Sequence, residues 1–474
     1  MKVLKRILII LSSVLTLVAI VILVLFWIND SQLEYLSYQN EGRSYLIRHA
    51  NIIPMDRDTI LRNHDLLIQD GRIERIGKEL ESNGIPVVET NGAYLLPGLI
   101  DMHVHLWDRY ELGLYLRHGV TSIRNLWGQP FHLRVKDELV KGKILGPNLF
   151  TSGPKLSGPS NSTPDNKPVL TAEEARKLLK DYKARGYDFI KTYNGMTESV
   201  FEAVLEESRN LGFDVVCHPT ALIDYDSHFQ VPVRSIEHAE DIVQQPLEYH
   251  LDTLRLKEVV DTYAAHPDIP ICPTLVVFHN ISRLILEDSI LNDPKIQGLN
   301  PLIRLVDSKA QFDRWQGSLS YDPDIGMKIL DQHAFHLLAI KKIHDAGGTI
   351  ICGTDAGIGI TLPGSSLHQE LAFYSKAGIT NYEILRTATI NAALTHEMMN
   401  DLGSIEMGKQ ADLILVEQDP LKDLNNLKDP IWVMVNGQMI LSEDLKRFES
   451  EAMDRSNLLV TLVRYVENLL VERY

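Results

Sequence analysis

The chain has 474 residues, room for about three structural units at ordinary domain size. Its 45% hydrophobic and 23% charged residues match common globular usage, which excludes disordered and repeat architectures. A net charge of −16 has the wrong sign for a nucleic-acid partner, whose phosphates demand a basic surface, and three cysteines beside 17 histidines exclude a disulfide framework and turn any search for metal ligands toward His and carboxylates.

Lys2, Lys5 and Arg6 precede an apolar and hydroxyl run over residues 7–28 with no charge, proline or glycine. A helix of that length rises about 33 Å, enough for a hydrocarbon core of about 30 Å. The run exits through Leu25-Phe26-Trp27-Ile28-Asn29-Asp30, without the small-x-small site of a cleaved signal peptide and without a lipobox cysteine. A transmembrane anchor over 1–28 is therefore expected, with an atypical signal peptide as the alternative. Asp30, Glu34 and Glu41 follow the run, and no basic residue comes until Arg43. The positive-inside rule then keeps the N-terminus cytoplasmic and puts the rest, past a linker over 29–43, on the extracytoplasmic (periplasmic or extracellular) side.

Residues 44–97 read as short β runs punctuated by the turn signals Asp70-Gly71 and Asn91-Gly92. A matching cluster returns over 401–443, where Asn436-Gly437 is a hairpin signal. One small β-sandwich built from both ends of the chain is expected. Between them, residues 98–400 alternate apolar strands with amphipathic helices, the candidate strands being 98–105, 119–125, 148–153, 187–193, 214–218, 234–238, 270–275 and 349–355. The helix over 171–186 has Thr171 as N-cap, Glu174 three residues on and Gly186 as a stop. Eight strands alternating with helices predict an α/β fold, a (β/α)8 TIM-like barrel. Its seventh connection, about 276–330 with Phe278, Phe312, Trp315 and Tyr321, is a surface insertion or a substrate lid. The tail, 444–474, reads as an amphipathic helix with Leu458, Leu459, Leu462, Val463, Val466, Leu469 and Leu470 on one face. That face is expected to pack on its own domain, the alternatives being a dimer contact, hence a homo-oligomer, or the membrane surface.

Ligand-type residues gather at the C-terminal ends of the predicted strands, where such barrels do catalysis: His103 and His105 on the first, Lys191 on the fourth, His218 on the fifth, His238 on the sixth and Asp355 on the eighth. Residues two apart in a strand share a face, so both imidazoles of His103-Val104-His105 can enter the barrel mouth together. Imidazole with carboxylate suits Zn²⁺, Fe²⁺ or Mn²⁺, and the lack of cysteine ligands argues against a closed structural zinc site. Cys217, Cys272 and Cys352 lie in predicted strands and read as core thiols.

The stretches LLPGLIDMHVHL, GVTSIRN, FIKTYN, CHPT, SIEHAED, CGTDAG and GSIEMGKQADLILV resemble, in order, the motif set of the amidohydrolase superfamily, and within it the imidazolonepropionase-like and prolidase-like branch. The resemblance spans roughly residues 44–441 and leaves the anchor and the tail outside. It implies that His103 and His105 bind the more buried metal and Asp355 completes that site. It also implies that His218 and His238 hold a second metal, with Lys191 N-carboxylated as the bridge. Adding CO2 requires a neutral amine, which nearby divalent cations favour by lowering the lysine pKa. The alternative is a snorkelling rim lysine and a single metal, with His238 then meeting substrate or water.

A divalent metal, zinc foremost, lowers the pKa of bound water from 15.7 toward about 7. Asp355 can take the proton from the attacking hydroxide and return it to the leaving nitrogen, while His238 or a second metal polarises the carbonyl. The expected reaction is hydrolysis of an amide-type C–N bond in a small cyclic amide, an N-acyl amino acid or a dipeptide. Asp355 and His238 are then catalytic, and Tyr193, His368 and Arg124 are candidate substrate-binding residues, with Trp127 and Glu370 beside them. A lactone or phosphoester hydrolase with the same site is one alternative. A noncatalytic, membrane-tethered metal-binding barrel is another, against which the intact ligand set weighs.

Overall fold

The computed structural model describes residues 2–37, 42–161 and 165–472; Glu41, part of the expected linker and the last two residues of the tail lie outside the described residues. Helix Lys2–Tyr35 carries the apolar run, and its segment Lys5–Trp27 is buried nowhere. The expected linker begins at 29, yet residues 29–35 continue the helix because its last turn has a docking site. The Tyr35 hydroxyl donates to the Phe448 carbonyl at 2.6 Å, its ring packs against Tyr110 and Phe448, and the Leu36 carbonyl accepts from the Leu145 N–H at 2.9 Å. Gly113 makes room for this contact, since a Cβ there would meet the Tyr35 hydroxyl at 2.2 Å.

Both ends of the chain do meet in one sheet. Strand Leu413–Val416 runs antiparallel to Tyr94–Pro97 on one side and to Trp432–Val435 on the other, and Tyr94–Pro97 continues through Tyr45–Ile52 and Leu61–Gln69 to Arg72–Gly77. The two hairpins close where the sequence signals them. Asp70-Gly71 and Asn436-Gly437 all have positive φ (51°, 82°, 51° and 76°), the handedness that two-residue turns need to follow strand twist.

In the middle of the chain, Leu99–Val104 pairs in parallel with Val120–Asn125, and that strand with Asn148–Thr151. A bridge Ser152–Phe189 leads to Phe189–Thr192, then Asp214–Cys217, Val233–Glu237 and Ile271–Cys272, all parallel. The predicted strand 349–355 is present only as bridges, Ile350 to Ile271 and Ala356 to Val104, so the parallel pairings end where they began. The chain narrows at Gly353, where a Cβ would sit 2.4 Å from Cys272 Sγ and 2.8 Å from the His103 backbone nitrogen. Helix Ala172–Arg185 bears out its signals: Thr171 Oγ1 accepts from the Glu174 N–H at 3.1 Å, and Gly186 caps it at φ 94°. The long seventh connection is largely helical, with Leu275–Leu286 and Lys309–Ser318, and it is tied to the loop after Asp355 by a Gly359 N–H bond to Asp307 at 2.6 Å.

The tail departs from expectation. It forms two helices, Ser442–Met453, which buries Leu445 and Phe448, and Leu458–Glu472. The second turns Thr461, Arg464, Asn468 and Glu472 inward and leaves Leu462, Val463, Val466 and Leu470 exposed. The reason lies in the surface it covers. Asn300 donates to Thr461 Oγ1 at 3.0 Å, Arg464 stacks on Phe131, the Tyr465 hydroxyl meets Asp165 at 3.0 Å, and Arg185 pairs with Glu472.

Candidate active site

The strand ends bring most of the expected residues together. Ligand atoms of His103, His238 and Asp355 all lie within 4.8 Å of one another, and His105 Nε2 is 2.7 Å from Asp355 Oδ1. The rings of His218 and His238 are 4.9 Å apart, those of His103 and His238 4.7 Å, and Tyr193 lies 4.3 Å from His218. Lys191 reaches the same interior, and its Nζ is buried without a hydrogen-bond partner among the described residues, as is His218 Nδ1. Three residues of this end hold left-handed backbone, His238 (φ 70°), Thr274 (φ 49°) and Asp355 (φ 57°). For a β-branched threonine that is strained, a state that persists where surrounding contacts over-determine it and that clusters at functional sites.

Burial sets the protonation states. It pushes the pKa of His105 down and those of His218 and His238 well below the usual imidazole value, neighbouring imidazoles adding to the effect for the last two. These rings are therefore neutral, with lone pairs to offer. Burial also lowers Lys191, against the pull of Glu237. For Asp355 burial acts upward, but His103 and His105 outweigh it and hold the carboxyl well below its ordinary range. Neutral imidazoles, an ionised carboxylate and an unpartnered amine in one buried cluster are a donor set that fits a divalent cation.

The cluster rests on carboxylates that the sequence reading missed. Glu237 accepts from His103 Nδ1 at 2.7 Å and from Arg124 Nη2 at 2.8 Å, which leaves His103 Nε2 free to face Asp355. Thr274 Oγ1 holds His238 Nδ1 at 2.9 Å, Asp241 lies 3.5 Å from His218 Nε2, and Asp101 accepts from the Thr354 hydroxyl at 2.7 Å. One signal was available: a glutamate closing the otherwise short apolar strand before His238, since a carboxylate is almost never buried without a partner.

Arg124 differs from its expected role. The strand alternation that sends it inward also encloses it. Its guanidinium is fully buried and spent on Met102 O, Ser235, His396 and Glu237, so it holds His103's partner and has no path to a substrate. His368 is also placed elsewhere, its Nε2 on the His118 carbonyl at 3.1 Å, and Glu370 caps helix Leu275–Leu286 through the N–H groups of Leu275 and Val276. Tyr193 stays beside the cluster, with Lys155 Nζ 5.1 Å over its ring, and Trp127 stands 6.2 Å from His105. The three cysteines are free and buried.

Residues 282–440 match the amidohydrolase family. The 5'-deoxyadenosine deaminase of Methanosarcina acetivorans is 30% identical over 398 residues, covering 78% of this chain and 84% of its own, and the imidazolonepropionase of a Geobacillus strain is 23% identical over 398 residues, covering 76% and 84%. Among solved structures, a bottromycin amidohydrolase superposes with a TM-score of 0.74 at 23% identity, covering 90% of this chain and 92% of its own. The chain belongs to the amidohydrolase family of hydrolases.

Proposed function

We propose that residues 98–400 form a (β/α)8 TIM-like barrel carrying a metal-dependent hydrolase centre, flanked by a small β-sandwich from residues 44–97 and 401–443, and that the chain hydrolyses an amide-type C–N bond in a small cyclic amide, an N-acyl amino acid or a dipeptide. The observation that carries this reading is the meeting of His103, His238 and Asp355 ligand atoms within 4.8 Å. The circuit of parallel pairings supports the barrel, and the names of the relatives, a deaminase and an imidazolonepropionase, support the bond class.

His103, His105 and Asp355 would hold one cation, and His218, His238 and an N-carboxylated Lys191 a second. When bound, a divalent cation, zinc foremost, supplies the Lewis acidity that brings the pKa of water from 15.7 toward about 7. Asp355, kept ionised by His103 and His105, accepts a proton from the attacking water at a carboxylate oxygen and returns it to the departing nitrogen, so that an amine leaves rather than an amide anion. With its Nδ1 engaged by Thr274, His238 keeps Nε2 for the second cation, or for substrate or water where a single cation binds. Tyr193 and Trp127 line the approach. Residues 1–28 are read as an anchor, which the apolar segment Lys5–Trp27, buried nowhere, supports, and the basic residues before it with the acidic ones after it favour the extracytoplasmic side for this centre.

The test is metal analysis joined to a substrate panel, on full-length chain in detergent. Chelation is expected to remove activity toward dipeptides, N-acyl amino acids or cyclic amides, and zinc, manganese or iron to restore it. Turnover of lactones or phosphoesters alone would move the assignment to that bond class, and metal-loaded chain inert across the whole panel would leave a binding barrel. One ion per chain with a free Lys191 amine would replace the bridged pair by a single-metal centre.

A further inference from the structure

The tail helix Leu458–Glu472 is amphipathic the wrong way round for a helix that docks by its apolar face. Its inward side is mostly polar, burying Thr461, Arg464, Asn468 and Glu472 beside Val460. Thr461 and Arg464 are held as described above, Glu467 takes both nitrogens of Arg134 at 2.8 and 2.7 Å, and the Glu472 carbonyl accepts from Lys167 at 2.6 Å. Its outward side is Leu and Val alone: Leu458, Leu459, Leu462, Val463, Val466, Leu470 and Val471, between 37% and 62% exposed. Leu305 and Val306, 64% and 59% exposed, follow the short helix Pro301–Ile303, which packs on the tail.

What lies over this patch is indicated by the helix beside it. Helix Lys2–Tyr35 packs against the tail helix, and Asn29 joins them, its Oδ1 accepting from Arg109 at 3.1 Å and from Arg464 at 3.4 Å. Asn29 comes two residues after the end of the apolar segment Lys5–Trp27, about 3 Å of helical rise. The interfacial layer adds roughly 5–7 Å to each side of the hydrocarbon core, so the tail touches the span at headgroup depth. The helix enters the catalytic part without a break and is locked there at Tyr35 and Leu36, which fixes the two relative to each other.

We propose that the outward face of helix Leu458–Glu472 is an interfacial membrane helix that seats the chain on the lipid bilayer beside its span. The inference rests on the anchor reading above. Its driving force is apolar burial, because the face carries no charge to attract anionic lipid. The same helix adjoins the strand-end site on its protein-facing flank. The Tyr465 ring lies 6.3 Å from both Trp107 and Trp127, and Trp127 is the ring next to His105.

The experiment uses full-length chain in phosphatidylcholine vesicles, with a polarity-sensitive fluorophore on Val463→Cys. Val466→Cys serves as a second site in case the first variant fails to fold. The native cysteines are buried and leave the introduced thiol as the reactive one. Leu394→Cys is the control, exposed beside Asn391, which bonds Ile350 at the opposite end of the strands; Leu23→Cys reports the span. The expected result is quenching by nitroxide-labelled phosphatidylcholine several-fold stronger at 463 than at 394, with iodide access reduced in step. Iodide access at 463 equal to that at 394, or shielding from iodide without lipid quenching, as a second copy of the chain would give, overturns the proposal. Lipid quenching at 23 without quenching at 463 removes the interfacial helix and keeps the anchor, whereas none at 23 removes the anchor reading itself.

Discussion

At the strand ends, His103, Glu237, Arg124, Lys191 and Asp355 are charged or polar and buried; along the tail, Leu462, Val463, Val466 and Leu470 are apolar and exposed. Each arrangement costs free energy in water, but the structure treats the two costs differently. The buried charges are mostly answered within the chain, Arg124 by Glu237 and Glu237 by His103, while ligand atoms of His103, His238 and Asp355 converge within 4.8 Å and Lys191 Nζ is left without a hydrogen-bond partner among the described residues. The exposed apolar residues are answered by nothing among the described residues. Where the remainder is polar and convergent, a small charged ligand completes it; where it is apolar and spread along one helix face, a second phase does.

The largest effect expected from breaking the first arrangement is at Asp355. Asp355→Asn keeps the shape and removes the ionised oxygen that takes and returns the proton. Turnover is expected to fall by about 10²–10⁴-fold, the range for loss of a general acid–base group, in steady-state rates on whichever amide the panel identifies. Retained turnover would put the base elsewhere.

Next in size is Arg124→Met, which leaves the Glu237 carboxylate buried without its cation. Removing one partner of a buried pair destabilises by about 3–5 kcal/mol, and denaturant or thermal unfolding of the full chain is expected to show it. A change below about 1 kcal/mol, the range of an exposed pair, would mean that Glu237 takes up a proton or water instead, and would weaken the contrast between an internally answered core and an unanswered surface.

How much of this could be read from the sequence follows the same line. Local signals transferred well. Thr171, Gly186, Asp70-Gly71 and Asn436-Gly437 act within a few residues of themselves, and the structure uses each as read. The strand-end alternation likewise brought His103, His105, Lys191, His218, His238 and Asp355 to one place. Partnership across the chain was not legible. Arg124 and Glu237 are 113 positions apart, and nothing near Arg124 tells a strand-borne arginine that meets substrate from one that braces a glutamate. The tail shows the same limit for faces. The heptad-like spacing of its leucines marks an apolar side, but which side docks was decided by Asn300, Arg134, Arg185 and Asp165, polar residues that distant segments present to it.

The smallest expected effect is at the edge of the tail, with Glu467→Gln. Its partner Arg134 is bidentate, yet the two side chains are 48% and 35% exposed, and solvent screens such a pair to about 0.2–1 kcal/mol. Unfolding of the vesicle-bound chain is therefore expected to shift by less than about 1 kcal/mol, and by less still at high salt, where exposed charges are screened within a few ångströms. A salt-insensitive loss of several kcal/mol would carry a different meaning. It would place the polar flank of the helix, and not only its Leu and Val face, in a medium of low dielectric, and the boundary between protein and lipid would then run deeper along the tail than the exposed apolar residues mark.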